Sequence, residues 1–328
     1  MKTLNTLPLL AAAAACALFA GCSKSKNVTT GSAPVSTDIA GPVEMKLKWE
    51  VGKHYDQETT MTQNVHLGTD IPGLKKPTEQ VMTMDEQYTI SALKDLPDGG
   101  MELEMQFTGQ KIELKMGDKV QLNFDSSQDA SGDGRNPVAK TLRKMLGARI
   151  KYDVDANGKI QQIIGLDDFM AQVAGNDPQS QSLIKGFMGE DNLKQMVLRG
   201  QGLPPNPVNV GDHWPLHLDM KTQAGDLDID MKSTFKGWQQ HMGRKCAVIE
   251  YVGTLASKPG TSGGPNNVSI NKGNMEGTTW FDPAMNMVVD NANIEDMNLK
   301  LTVQGKNITT SMKMSVNSKL VDSGDIAK

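Results

Sequence analysis

Apolar and polar residues alternate along much of this chain after residue 43. The clearest apolar sets are Met101-Leu103-Met105-Phe107, Leu227-Ile229-Met231, Leu299-Leu301-Val303 and Ile308-Met312-Met314-Val316. A period of two residues places successive side chains on opposite faces of a sheet, so these runs predict strands with one solvated face. Turn sequences such as Asp98-Gly99-Gly100 and Asn157-Gly158 lie between strand-like runs and predict antiparallel hairpins.

Helical spacing replaces this alternation between Leu166 and Arg199. Asp177-Pro178 is a good start for a second helix in this insert, because the acid can cap it and proline suits a first turn. A shorter helix is predicted from Pro137 to Leu146. The proline-rich residues 203–207 then end the insert in an extended linker.

The two halves of the chain open alike. Val51-Gly52-Lys53-His54-Tyr55 recurs as Val210-Gly211-Asp212-His213-Trp214, which suits a turn that sends the aromatic residue inward at the start of a strand. Val154-Asp155 followed by Ile160 parallels Phe281-Asp282 followed by Met287, each a predicted hairpin. An internal duplication explains these parallels more simply than chance.

These patterns predict a mainly β fold of the α+β class. It would contain two related antiparallel β-sheet units, with curved half-barrels as one form they could take, and a helical insert between them. The predicted divisions are a signal peptide (1–21), a lipidated cysteine with a flexible tether (22–42), a first β unit (43–165), the helical insert (166–202) and a second β unit (203–328).

The amino terminus has the form of a lipoprotein signal. A positive Lys2 precedes an apolar run that ends at Leu18-Phe19-Ala20-Gly21-Cys22. Phe19 departs from the leucine usual at its place, so cleavage as an ordinary signal peptide and a cytosolic start stay alternatives. The run is shorter than the roughly 20 residues of a membrane-spanning helix. We therefore expect lipidation of Cys22 and a protein anchored in the bacterial cell envelope, facing the periplasm or at the outer membrane.

Charge and cysteine content narrow the function classes. A formal net charge of -4 does not favour nucleic-acid binding, because nucleic acids are themselves negatively charged. With Cys16 in the signal peptide and Cys22 lipidated, Cys246 has no partner for an intramolecular disulfide. Cys246 lies in an apolar strand-like run, which favours a buried small side chain over a reactive thiol.

Candidate chemistry is sparse. Asp153-Val154-Asp155-Ala156-Asn157-Gly158 matches the opening of a calcium loop, but Ile164 stands where a bidentate Glu is needed, so a plain hairpin is favoured. His213, His217 and Asp219 share one strand face and could be imagined to bind zinc, although surface positions explain them as well. Common nucleophile, phosphate-loop and metalloprotease motifs are absent. We expect no catalytic residue, metal or cofactor.

Short segments give this chain a family likeness: Leu203-Pro204-Pro205-Asn206-Pro207-Val208, then the V-G-D-x-W segment at 210–214, then Trp280-Phe281-Asp282. On these the chain resembles an uncharacterised-domain family of bacterial lipoproteins over most of its length after residue 43. That resemblance implies location and architecture but no activity. In shape alone, the predicted strands and interposed helix are similar to the half-barrels of periplasmic lipoprotein and lipid carriers.

Composition supplies the functional hypothesis. The chain has 21 Met against 7 Phe, 4 Tyr and 4 Trp, and methionine forms adaptable apolar surfaces. We expect a non-enzymatic envelope protein with a binding or structural role, holding a lipid or hydrophobic peptide on a Met-lined sheet face. The proposed ligand-contacting residues are Met105, Phe107, Phe187, Met188 and Met196, the last three as a helical lid. Alternatives are a closed Met-filled core, a scaffold that binds wall or membrane proteins, and a hydrolase with an unrecognised site.

Overall fold

A computed structural model of the chain describes residues 41–69, 74, 76–133, 136–156, 158–175, 181, 202–222, 225–260, 268–303 and 306–326. Its strands are β1 (Lys53–Leu67), β2 (Thr78–Asp95), β3 (Met101–Met116), β4 (Lys119–Asp125), β5 (Arg149–Val154), β6 (Ile160–Ile164), β7 (His213–Thr222), β8 (Gly225–His241), β9 (Arg244–Ser257), β10 (Ser269–Asp282), β11 (Met287–Val303) and β12 (Lys306–Asp325). Within these residues the helices are α1 (Pro137–Met145) and α2 (Leu166–Ala174), with a 3-10 turn at Ala130–Asp133.

The strands form one antiparallel sheet in the order β6-β5-β3-β2-β1-β12-β11-β10-β9-β8-β7, and β4 also pairs with β3. β1 pairs with β12 from Lys53 opposite Asp325 to His66 opposite Ser311. The strands of both predicted units therefore lie in one continuous sheet. The sheet is not closed, and β6 and β7 are its edges. The mainly β fold class is confirmed, whereas the division into domains stays a prediction.

The shared opening of the two halves is a turn before a strand. Gly52 and Gly211 have φ values of 84° and 93°, a region that glycine adopts without strain. β1 and β7 begin immediately after these turns, and their first aromatic residues, Tyr55 and Trp214, are buried. The predicted role of the repeated segment is thus confirmed.

Both predicted hairpins are present. Val154 pairs with Ile160 in the β5–β6 hairpin, and Asp282 pairs with Met287 in the β10–β11 hairpin. Strand residues on both sides of the calcium-loop-like segment confirm that it belongs to a hairpin rather than to a helix–loop–helix.

The predicted short helix is α1, and both of its ends have a local cause. The Asn136 side chain accepts a hydrogen bond from Val138 N at 2.9 Å, which caps the helix before Pro137 in its first turn. Near its end, Arg143 donates from Nη2 to Asp133 Oδ1 at 2.8 Å, and its guanidinium lies 5.2 Å from the centre of the Phe124 ring. Arg143 thereby joins α1 to the 3-10 turn and to β4.

The start of the helical insert is α2, whose Phe169 and Val173 are buried in the apolar core. This spacing of four residues agrees with the predicted helical periodicity. The second predicted helix, which would begin at Asp177-Pro178, lies outside the described residues.

One face of the sheet, which we call the inner face, carries the apolar core. Near the strand ends that hold Tyr55 and Trp214, this face packs against the segment 43–49. Val43 forms a bridge with Val208, with N–O distances of 2.8 and 3.0 Å in the two directions. Trp49 meets Tyr55 edge to face, with ring centres 5.0 Å apart. The segment that follows the predicted tether is therefore part of the folded body.

Candidate functional site

A row of side chains crosses the centre of the inner face from one half of the sheet to the other. Residues directly opposite one another on antiparallel strands point to the same face. Successive register pairs place the row, from β2 to β8, as Met82, Gln63, Met314, Glu295, Met275, Gly253 and Met231. Each of these methionines is at most 8% exposed. The centre of the inner face is therefore a buried methionine surface that spans both halves.

Inward glycines let these apolar side chains lie close to the backbone. A Cβ placed on Gly253 would lie 2.8 Å from Met231 Cγ and 3.1 Å from Met275 Cγ. A Cβ on Gly273 would lie 2.9 Å from Met297 Cγ. Glycine inside a strand is typical of a close approach by another group. The approaching groups include the Asp230 carbonyl oxygen and Leu255 as well as these methionines, whose unbranched side chains can change rotamer.

A buried polar pair interrupts the methionine row. Glu295 is 2% exposed and Asn293, two residues earlier on β11, is 0% exposed. Asn293 Nδ2 donates to Glu295 Oε1 at 3.1 Å, while Asn293 Oδ1 has no hydrogen-bond partner among the described residues. Burial raises the pKa of Glu295 to about 8, and the hydrogen bond from Asn293 only partly opposes this. The carboxyl is therefore mostly protonated at neutral pH.

The neighbouring row contains the side chains of Asn293, Tyr251 and Ser233, with Gly277 between the first two. The Tyr251 phenol lies over Gly277, where a Cβ would be 2.4 Å from its oxygen. Ser233 is 1% exposed, and its Oγ has no hydrogen-bond partner in the described part of the chain. Polar groups thus enter the apolar face at more than one place.

Of the predicted ligand contacts, Met105 and Phe107 lie on β3 and are 1% and 2% exposed. They belong to the same apolar cluster as Met314 and Met275, so they pack as core side chains in this state. Phe187, Met188 and Met196 lie outside the described residues, as does Cys22.

The other face of the sheet has a histidine and carboxylate cluster on the β7–β8 hairpin. His217 Nδ1 lies 2.9 Å from Asp230 Oδ1 and 3.4 Å from Asp228 Oδ1, and His217 Nε2 lies 3.5 Å from Asp219 Oδ1. The hydrogen bond with Asp230 and the other carboxylates raise the pKa of His217. Lys258 contacts Asp219 as well. His217 and Asp219 share a face as predicted, but the cluster pairs internally as a charged surface group.

The other residues considered in the sequence analysis lie at surface or core positions. His213 is exposed and lines a shallow depression of about 290 Å³ beside Trp214 and Val208. His54 lies with Asp56 and Asp322 in a second small cluster, 3.9 Å from Asp56 Oδ2. Cys246 is fully buried, and burial raises the pKa of its thiol to about 11. The expectation that Cys246 is a buried side chain is confirmed.

A family model for DUF6263, a family of unknown function, matches residues 98–326, which is more than half of the chain. The chain belongs to the DUF6263 family. This agrees with the uncharacterised-domain resemblance and assigns no activity. No curated protein matches the sequence of this DUF6263 chain.

Two solved structures are similar to the DUF6263 chain in outline. Lipovitellin, from a structure concerned with its lipid–protein interactions, has 11% identity and a TM-score of 0.49 over 86% of this chain and 26% of that one. The DUF6263 chain thus spans about a quarter of the lipovitellin chain. A Bacteroides fragilis protein described as exported, with a YmcC-like fold, has 12% identity and a TM-score of 0.24 over 86% and 99%. Neither likeness assigns a function.

Sequence reasoning missed the buried pair of this DUF6263 chain because an acidic residue beside Asp296 reads as part of a solvated surface. A signal was nevertheless available. Continuing the alternation of Leu301 and Leu299 back along β11 through Met297 places Glu295 and Asn293 on the inner face.

Among the described residues, no helix is long and apolar enough to cross a membrane.

Proposed function

We propose that this chain is a non-enzymatic lipoprotein of the bacterial cell envelope that holds an apolar ligand on the inner face of its sheet. The supporting observation is the methionine row, whose buried methionines lie on strands of both halves of an unclosed sheet. Methionine side chains over inward glycines can rearrange around an irregular apolar partner at little strain. The membrane attachment through Cys22 rests on the signal sequence.

The ligand would replace contacts that the methionines make with their neighbours. Met314, Met275 and Met231 lie on β12, β10 and β8, so an alkyl chain crossing these strands would meet all three. Adjacent strands are about 4.8 Å apart, so the distance from β12 to β8 is roughly 19 Å. That distance matches an extended acyl chain of the size found in bacterial lipids.

A photoactivatable alkyl probe tests this function. A diazirine-bearing fatty chain is incubated with the purified mature protein, irradiated, and the labelled peptides are mapped by mass spectrometry. The expected products lie on the inner face at Met231, Met275 or Met314. Val252 provides a control within the same chain, because it lies on β9 and is 59% exposed on the other face. Labelling concentrated at Val252 and other exposed positions would contradict inner-face binding.

Native mass spectrometry with lipid extraction addresses the natural ligand. Protein from bacterial cells should retain a stoichiometric lipid, and Met188→Asp with Met196→Asp should release it if these residues form the lid. A ligand-free mass with no uptake of added lipid would instead favour a scaffold that binds wall or membrane proteins.

A further inference from the structure

The polar pair on β11 is unusual because it lies inside the apolar face where a core would hold only hydrocarbon. Buried polar groups in proteins nearly always have hydrogen-bond partners. Leaving one unpaired costs about 1–3 kcal/mol. Asn293 Oδ1 is such a group, since it is buried and has no partner among the described residues.

The donors and acceptors of Asn293 and Glu295 indicate what kind of ligand group could pair with them. With its pKa raised to about 8, Glu295 keeps its proton at neutral pH and has an O–H to donate. Asn293 Oδ1 offers an acceptor, while Asn293 Nδ2 already donates to Glu295. A partner group must therefore offer a donor to Asn293 Oδ1, and a group that also accepts from the Glu295 O–H would pair with both side chains. A hydroxyl group offers both, and it carries no charge into the apolar interior.

We infer that the inner face binds a neutral amphiphile whose hydroxyl group pairs with Asn293 and Glu295, while its alkyl chain lies along the methionine row. This inference rests on the proposed function and specifies the chemical class of its ligand. Met314 and Met275 flank Glu295 on β12 and β10, so an alkyl chain leaving the polar pair in either direction meets a methionine. Ser233 is three strands from Asn293, too far to join the same hydroxyl group.

Chain-matched probes separate the hydroxyl contact from apolar binding. Decan-1-ol and decane are titrated separately into the mature chain, residues 22–328, carrying Cys22→Ser so that no acyl group is attached. Bound fractions are read by native mass spectrometry. Asn293→Leu is close to isosteric and removes both the Oδ1 acceptor and the Nδ2 donor to Glu295. It should weaken decan-1-ol binding by roughly 5- to 150-fold without weakening decane binding.

Two further variants keep the result interpretable. Glu295→Gln should retain decan-1-ol binding, because a neutral amide still provides a donor and an acceptor. Asp296→Asn changes the next residue of β11, which is exposed on the other face, and should leave both affinities unchanged. Thermal melts of each variant confirm that its fold is intact before binding is compared.

The outcomes distinguish the hydroxyl contact inferred here from the apolar binding of the proposed function. If Asn293→Leu changes the decan-1-ol and decane affinities equally, the hydroxyl contact is wrong and apolar binding stands. If decylamine binds more tightly than decan-1-ol, the pair receives a cation and the neutral head group is wrong. If the unsubstituted site binds neither decane nor decan-1-ol, the proposed function itself fails.

Discussion

The Glu295→Gln variant should become increasingly more stable than the parent protein as pH rises above 4.5. The carboxyl group ionises near its ordinary pKa of 4.5 in the unfolded chain, but only near pH 8 in the folded chain, because it is buried. Between these values the unfolded chain binds fewer protons than the folded chain. Rising pH therefore favours unfolding. The stabilising contribution of the neutral carboxyl is complete below pH 4.5, falls as pH rises and is lost above pH 8.

The size of this effect follows from the difference in pKa. Each pH unit between the two values lowers the free energy of unfolding by about 1.4 kcal/mol. The loss is roughly 3 kcal/mol by pH 7 and roughly 5 kcal/mol above pH 8. Glutamine has no proton to lose, so Glu295→Gln should match the parent protein near pH 4.5 and exceed it by these amounts at higher pH.

Urea unfolding at a series of pH values, followed by tryptophan fluorescence, measures the difference directly. Other titrating groups are common to both proteins and largely cancel in the subtraction. Asp296→Asn on the same strand is the matched control, because its exposed carboxylate contacts Lys313 at the surface. A difference between parent and Glu295→Gln that stays constant from pH 5 to pH 8 would refute the burial argument.

Three further substitutions test other parts of the structure. Cys22→Ser should abolish incorporation of labelled palmitate and release the protein from the membrane fraction; retained label would contradict the predicted lipobox. Gly277→Ala should destabilise the fold by about 1–3 kcal/mol in urea unfolding, because its Cβ would lie 2.4 Å from the Tyr251 phenol. Gly68→Ala, with no atom within 4 Å of the new Cβ, is its control, and equal losses would contradict the steric argument. Arg143→Lys should lower the thermal midpoint because lysine lacks the planar fork that reaches the Asp133 carboxylate; an unchanged midpoint would count against that role.

Local sequence patterns were sufficient to predict those elements whose structure depends only on neighbouring residues. The alternation at Met101–Phe107 predicted a half-buried strand because the strand period is a property of the backbone. Asn136-Pro137 could be recognised as a helix start, since a cap and a first-turn proline act within a few residues. The repeated glycine before Tyr55 and Trp214 similarly predicted a turn into each half.

The pairing of β1 with β12 required the tertiary structure. These strands are separated by more than 200 residues, and alternating apolar residues do not specify which distant strand lies alongside. This pairing joins the two halves of the chain into one sheet and brings Met314 between Gln63 and Glu295. The methionine row that spans both halves is therefore a result of strand order.

The sequence by itself determined the strand periodicity, the first helix and the repeated openings, and it predicts a signal for export, because each depends on neighbouring residues. Only the tertiary structure decided that Glu295 is a buried, protonated acid and that Asp230 lies beside His217. Both outcomes depend on which strands surround a side chain, and burial or cross-strand contact then sets its charge. The alternation of apolar and polar residues can predict that an acidic residue lies in a strand. Whether that residue is buried depends on which other strands pack around it.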